Sequence, residues 1–199
     1  MECKLPVFNE ANCVERLLDA VCAIDYPKDK HEIQVLDDST DECYEVAKKK
    51  VAELAAKGYD IKLIHRTNRK EFKAGALKEA MAVAKGEFLA IFDADFVPEK
   101  DFLLKTIPYL VMDDQIGLVQ GRWGHLNRTE SGLTLAQSIG IDGHFVIEQS
   151  AQVCTQRAHI EHTADCQQTT YTAGDGIVNA AEVGHGGHHS ACIGLRQRA

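Results

Sequence analysis

The chain is short of positive charge. Its 199 residues carry 22 Lys and Arg against 30 Asp and Glu, a net charge of −8. That sign repels phosphate backbones and anionic headgroups, which excludes a general nucleic-acid binder or a binder of anionic membranes. No apolar run is long enough to span a bilayer, and no secretory leader precedes the first apolar segment. A soluble, cytoplasmic chain is therefore expected. Disulfide signals are missing too: the seven cysteines form no C-x-x-C pair, and their number is odd. Cys3, Cys13, Cys22 and Cys43 fall in or beside expected strands and helices. Free thiols in a reducing compartment suit that placement better than a disulfide framework.

Two further absences divide the chain. No lysine follows Lys105, and no Phe or Trp follows Phe145. From Ala151 the only Phe, Tyr or Trp is Tyr171, and the stretch is rich in Gln, Thr, Ala, Gly and His. It lacks a sustained apolar period, so residues 151–199 are expected to be a disordered or frameshifted tail. His159-x-x-His162 and His185-x-x-His188-His189 have metal-ligand spacing, but no H-E-x-x-H helix orients them. Residues 1–150 are long enough to bury a core of their own.

Those 150 residues alternate short apolar runs with helical periods. Leu5–Phe8, Glu32–Leu36, Ile61–Ile64, Phe88–Phe92 and Ile116–Gln120 read as strands, the first of them clipped. Val14, Leu17, Leu18 and Val21 recur at helical spacing, with Asn12 and Glu15 placed like a capping pair. Ser39 and Glu42 form an S-x-x-E box before a helix carrying Val46, Val51 and Leu54, which Gly58 ends. Ala74, Leu77, Met81 and Ala84 mark a third helix closed by Gly86. Phe102–Val111 is a fourth, with a kink or restart expected at Pro108, and Leu133–Ile147 a fifth. Repeated βα units predict a mostly parallel sheet with helices on its faces.

Ligands of such sheets bind beyond the carboxyl ends of the strands. There the sequence puts two acidic pairs. Asp37-Asp38 follows the second strand, and Asp93-Ala94-Asp95 follows the fourth. In a continuing strand, residues 93 and 95 would face the same way. Neighbouring carboxylates repel unless a cation or a shared proton relieves them, and a hard divalent ion on phosphate oxygens would do so. Arg69 and Lys73 precede or open the third helix on the same rim, where basic groups and a helix N-terminus suit a diphosphate.

Five segments in order now resemble a known family. They are Leu5-Pro6-Val7-Phe8-Asn9-Glu10, Val35-Leu36-Asp37-Asp38-Ser39-Thr40-Asp41, Phe72-Lys73-Ala74-Gly75-Ala76-Leu77, Phe92-Asp93-Ala94-Asp95-Phe96-Val97-Pro98 and Gln120-Gly121-Arg122-Trp123-Gly124-His125-Leu126-Asn127. Together they look like a family 2 glycosyltransferase of the cellulose synthase-like, glucomannan synthase-like type, over about residues 4–152. The resemblance implies a GT-A fold, incomplete at its C-terminus, and a UDP- or GDP-hexose donor. It implies that Pro6, Glu10, Asp37 and Asp38 cradle the nucleoside and that Lys73 approaches the diphosphate. Asp93 and Asp95 would hold the donor together with Mg²⁺ or Mn²⁺, and the sugar would pass with inversion to a polysaccharide or lipid acceptor. Full-length relatives are membrane-associated with a cytoplasmic catalytic domain.

The chain also departs from that family. Its acceptor segment, base-bearing T-E-D-like motif, Q-x-x-R-W motif and membrane helices are not found. Glu161 and Asp165 are the nearest carboxylates, in the wrong context, so no catalytic base is assigned. The composition break coincides with the end of the resemblance, which points to a shifted reading frame. Three alternatives remain open. A haloacid-dehalogenase-like phosphatase would use Asp93 as nucleophile and Asp95 as acid/base. A nucleotide-sugar-binding remnant would keep the donor site without chemistry. A receiver-like signalling domain would use Asp37-Asp38 alone.

Overall fold

The structure, a computed structural model, describes residues 1–113, 116–121, 124–143, 166–173, 176–183 and 193–196. Four βα units come first: β1 Glu2–Val7, α1 Ala11–Cys22, β2 Glu32–Asp37, α2 Cys43–Ala56, β3 Asp60–His65, α3 Phe72–Ala82, β4 Phe88–Ile91 and α4 Phe102–Met112. Then follow β5 Ile116–Gly121, α5 Gly132–Gly143, β6 Cys166–Ala173, β7 Gly176–Val183 and β8 Ile193–Arg196. The sheet order is β3-β2-β1-β4-β8-β5-β7-β6. Strands β3, β2, β1 and β4 are mutually parallel, with Leu5 opposite Val35 and Cys3 opposite Ala90. β8 enters antiparallel between β4 and β5, and β7 lies parallel to β5.

Strand alternation sorts the core into two layers. Cys3, Leu5 and Val7 join Ile33 and Val35 under α1 and α2, whose Val14, Leu17, Leu18, Ala47 and Leu54 are buried in the same cluster. The opposite face presents Leu36 to Ala76 and Ala80 of α3. α4 closes the middle through Phe102 and Leu103, and packs Leu110 with Phe88, Ile116 and Val119.

β1 is longer than its apolar letters suggest, because Glu2 and Lys4 are themselves buried, at 0% and 1% exposure. Lys4 Nζ pairs with Glu2 and donates to Gln34 Oε1 at 2.6 Å and to the Ala80 carbonyl at 2.9 Å. Glu2 Oε2 accepts the backbone N–H groups of Lys85 and Gly86. Burial of both charges is tolerable because each is paired and hydrogen-bonded.

Several local expectations change. Asn12 lies inside α1, which begins at Ala11 with no side-chain cap. The Ser39–Glu42 box does not form either: α2 starts at Cys43, whose N–H bonds Asp41 Oδ1 at 3.0 Å, while Ser39 Oγ accepts the Asn9 N–H. A tertiary partner has claimed the Ser39 side chain. α4 runs through Pro108, and α3 ends at Ala82, before Gly86. Gly58 does follow α2, at a φ of 85° that suits glycine. Beyond residue 150, where no sustained structure was expected, residues 166–173, 176–183 and 193–196 add strands to the sheet. Backbone pairing requires no long apolar period. The five tail histidines, Glu161, Asp165, Arg122 and Trp123 lie outside the described residues, as does the 144–147 end expected for the fifth helix.

Among the described residues, no helix is long and apolar enough to cross a membrane. The described cysteines Cys3, Cys22 and Cys43 are free and buried, and Cys13 is free and partly buried.

Candidate functional site

The carboxyl ends of β1, β2 and β4 surround a cleft of about 320 Å³. Pro6, Val7, Phe8 and Glu10 line it from the end of β1, and Leu36 and Asp38 from β2. Arg69, Phe72, Lys73 and Ala76 come from α3 and the turn before it, and Asp93, Ala94 and Asp95 from beyond β4. Six of the seven residues predicted to hold a nucleotide sugar therefore meet in one place. Asp37 is the exception.

Asp37 is wholly buried and supports the rim. Its Oδ2 is 2.6 Å from His65 Nδ1 at the end of β3, and its Oδ1 accepts the Ser39 N–H at 3.3 Å. The His65 ring in turn packs on Tyr44, 4.4 Å between centroids. Asn9, at a φ of 55°, ties the two loops together: its N–H bonds Ser39 Oγ and its Oδ1 accepts the Thr40 N–H, each at 2.9 Å. These bonds set where Glu10 and Asp38 stand.

Asp38 is 5% exposed and grips Arg66, with Nε at 2.8 Å on Oδ1 and Nη2 at 2.6 Å on Oδ2. Arg66 also donates to the Phe72 carbonyl at 2.9 Å and to Glu79 at 3.0 Å. One buried guanidinium thus neutralises an acid of the rim and holds the start of α3. Its planar fork suits that double duty. Sequence reasoning missed Arg66, although its place one residue after β3, beside the Asp37-Asp38 rim, was a usable signal.

The turn between Arg66 and α3 is unusually bent: Arg69, Glu71 and Phe72 all have positive φ, between 41° and 60°. It lays the Arg69 guanidinium 3.2 Å over the Phe8 ring and 5.0 Å from that of Phe72. Arg69 Nε is buried without a partner among the described residues. A cation held on a ring face is stabilised by the ring quadrupole.

Asp93 and Asp95 share the cleft for a different reason from the one the sequence suggested. β4 stops at Ile91, and the pair lies in a turn closed by the Phe96 N–H on the Asp93 carbonyl at 3.1 Å. Phe92 and Ala94 are buried at 0% and 2% and anchor the segment from beneath. The Phe92 ring meets Phe102 edge-on, 5.5 Å between centroids. Lys73, on the first turn of α3, reaches across and pairs with Asp93. Arg16 of α1 donates to the Asp95 carbonyl at 3.4 Å. Burial, then the charges of Asp95 and Asp93, push the Glu10 carboxyl above its ordinary range, with Lys73 opposing them. Three carboxylates thus crowd one cationic side chain.

This donor set fits a hard divalent ion that brings other ligands with it. Asp93 and Asp95 are carboxylates at the open end of the cleft, and Asp93 already attracts a cation. Among the described residues, no three His, Cys, Asp or Glu side chains are arranged to hold a metal unaided. Mg²⁺ and Mn²⁺ characteristically take one or two carboxylates and complete their shell with phosphate and water.

The chain is 45% identical over 152 residues to the probable glucomannan 4-beta-mannosyltransferase 11 of Oryza sativa subsp. japonica, covering 74% of this chain and 27% of that protein. It is 43% identical over 150 residues to the glucomannan 4-beta-mannosyltransferase 9 of Arabidopsis thaliana, covering 73% and 28%. The chain therefore spans little more than a quarter of these curated relatives' length. Among solved structures, the mannosyltransferase PcManGT of Pyrobaculum calidifontis, in complex with GDP-Man and Mn²⁺, superposes with a TM-score of 0.54 at 35% identity, over 59% of this chain and 34% of that one. TarS 1–349 of S. aureus shares the fold at a TM-score of 0.53 and 20% identity, over 63% and 35%. The expected GT-A fold is the one observed. Since the family model for glycosyl transferase family 2 matches residues 4–151, most of the chain, this protein belongs to glycosyltransferase family 2.

Proposed function

We propose that this chain is the donor-binding part of a hexosyltransferase that takes a nucleoside diphosphate hexose, of the GDP-mannose class, and serves transfer of the sugar to a polysaccharide acceptor. The carrying observation is the meeting of Lys73, Asp93 and Asp95 in one cleft at the carboxyl ends of parallel strands. The mannosyltransferase relatives, one of them solved with GDP-Man and Mn²⁺, support the choice of donor.

In this reading Asp93 and Asp95 hold Mg²⁺ or Mn²⁺, and the Lys73 ammonium meets the diphosphate. A bound ion supplies electrostatic neutralisation of the leaving diphosphate. The acceptor hydroxyl oxygen bonds to the anomeric carbon while the bond from that carbon to the diphosphate oxygen breaks, and the diphosphate leaves with the electron pair. The hydroxyl proton goes to a base that no described residue is assigned to be. Pro6 and Phe8, which line the cleft, would flank the nucleoside, and Asp38, held by Arg66, would stand beside it. Asp37 acts through His65 and the Ser39 loop as a positioning residue.

The phosphatase reading loses its footing here. Its acidic pair follows the first strand of a domain, whereas this pair follows β4, inside a family 2 match that begins at residue 4. Donor binding without transfer stays as a second reading, because Asp93 and Asp95 line the cleft while no described residue is assigned as the base for an acceptor proton.

Calorimetry with GDP and UDP, each with and without Mn²⁺, tests the proposal. Mn²⁺-dependent binding lost in both Asp93→Asn and Asp95→Asn is the expected result. Binding that ignores Mn²⁺, or that survives both substitutions, overturns it. Turnover of GDP-mannose then separates transfer or hydrolysis from binding alone.

A further inference from the structure

The cation on Asp93 is the protein's own. Lys73 comes from α3 and Asp93 from beyond β4, 20 residues apart in the chain, and the two meet across the mouth of the cleft. Both side chains keep solvent access, at 52% and 39%, so nothing locks the pair shut. The pair sits among like charges. Glu10 and Asp95 line the same wall, and the Asp38 acid nearby is already committed to Arg66. Lys73 is therefore the one ammonium that crosses to this carboxylate cluster among the described contacts.

An ammonium and a divalent ion cannot both occupy the lone pairs of one carboxylate oxygen without strong repulsion between them. A metal ion arriving alone displaces Lys73 from Asp93 Oδ1 or takes the other carboxylate oxygen with the ammonium still beside it, and either way it meets a repelling positive charge. A diphosphate changes this balance, because its oxygens accept the displaced ammonium and also ligate the ion. We propose that Lys73 is a competing counter-ion that makes metal binding at Asp93 and Asp95 conditional on a nucleoside diphosphate. The idea rests on the donor-site reading above and adds a coupling between its two ligands. Coupling of this kind is reciprocal: the diphosphate tightens the metal by the same factor as the metal tightens the diphosphate.

The raised Glu10 carboxyl agrees with the crowding, since Asp95 and Asp93 push it up and Lys73 alone among its charged neighbours named above pulls it down. The bland alternative is that Lys73–Asp93 is a surface ion pair with no consequence for ligands. The two readings differ in sign. A pure phosphate-binding lysine, once removed, leaves the affinity for free Mn²⁺ unchanged. A competing counter-ion, once removed, raises it.

The test measures free Mn²⁺ by its aqueous electron paramagnetic resonance signal during titration of the purified chain. Wild type, Lys73→Met and Lys78→Met are compared, each alone and with saturating GDP. Lys78 is on the same helix, pairs loosely with Glu71 at 3.7 Å, and controls for loss of one positive charge at longer range. The expected result is a threefold to tenfold tighter Mn²⁺ affinity in Lys73→Met without nucleotide, with no comparable change in Lys78→Met. The gain that GDP brings to Mn²⁺ affinity should shrink by a similar factor in Lys73→Met. Unchanged or weaker Mn²⁺ affinity in Lys73→Met overturns the proposal, as does an equal gain in Lys78→Met. If Lys73→Met tightens Mn²⁺ but GDP binds no variant, the donor reading falls and the coupling to it is overturned, leaving only competition between Lys73 and the ion. Circular dichroism of Lys73→Met checks that α3 is retained, and Lys73→Gln repeats the measurement with a polar side chain.

Discussion

Arg66 holds Asp38 by two parallel bonds, 2.8 and 2.6 Å, with both side chains about 5% exposed. The same guanidinium reaches the Phe72 carbonyl, so the end of β2 and the start of α3 share one buried charge. Removing it would strand Asp38, only 5% exposed, without its guanidinium partner. Arg66→Ala should cost about 3–5 kcal/mol, the usual penalty for breaking a buried pair. Arg66→Lys should recover only part of it, because an ammonium cannot make the fork. Urea denaturation of the three proteins checks the order; equal stability of Arg66→Ala and wild type would show that the pair contributes nothing.

His31 should give the protein an acid-side stability loss. Its ring is 5% exposed, and burial, helped by the N-terminal charge, pushes its pKa down to about 4. Burial also holds the Cys3 thiol above its usual range, so a protonated Cys3 Sγ and a neutral His31 Nε2 share a hydrogen bond at 3.1 Å. A folded pKa below the unfolded value means that the unfolded chain takes up the proton first. The contribution is complete above the ordinary histidine value of 6.5 and is lost as pH falls toward 4. Its size is on the order of 3 kcal/mol. Denaturation midpoints of wild type and His31→Gln between pH 7.5 and 4 should converge as pH drops. A constant offset across that range would refute the assignment.

Gly75 lies in the first turns of α3, where a Cβ would fall on the Lys70 carbonyl oxygen and 3.0 Å from Glu71 Cβ. Backbone atoms cannot step aside as a flexible side chain can. Gly75→Ala should destabilise by about 1–3 kcal/mol through overpacking. It should also weaken GDP binding, because the turn that carries Arg69 and Lys73 must move. Thermal melting and calorimetry report the two effects separately. A variant of wild-type stability would mean that the turn has another conformation available.

Phe92 is the buried anchor next to Asp93, with no exposed surface and an edge contact to Phe102. Phe92→Ala should cost about 3–5 kcal/mol, as for other fully buried aromatics. Phe92→Leu keeps most of the volume and should cost less while still loosening the Asp93–Asp95 turn. The discriminating measurement is Mn²⁺-dependent GDP binding in Phe92→Leu. Unaltered affinity would show that the turn holds itself in place without this ring.

Much of the site was legible in the letters. Pro6, Glu10, Asp38, Lys73, Asp93 and Asp95 line one cleft because short apolar strands in βα units must form a parallel sheet, and such a sheet collects its loops at one end. Asp37 does not line that cleft. Adjacent residues of an extended chain face opposite sides, so only Asp38 of the pair can face the cleft, while Asp37 turns to His65. The bounds of β1 were hidden because Glu2 and Lys4 look like surface residues until their partners across the sheet are known. The helix caps failed for a related reason, since Ser39 found a better partner in Asn9, 30 residues away.

The sequence by itself determined the alternation of strands and helices, the rim on which acids and bases gather, and the family. These follow from local periodicity and from the topology of parallel sheets. Only the tertiary structure decided the pairings of charge: Arg66 with Asp38, His65 with Asp37, Lys73 with Asp93 and Lys4 with Glu2. All but the last join residues 20 or more apart in the chain, and Lys4–Glu2 depends on Gln34 and Ala80 across the sheet. Coulomb and hydrogen-bond energies depend on separation in space and on burial, neither of which is written along the chain.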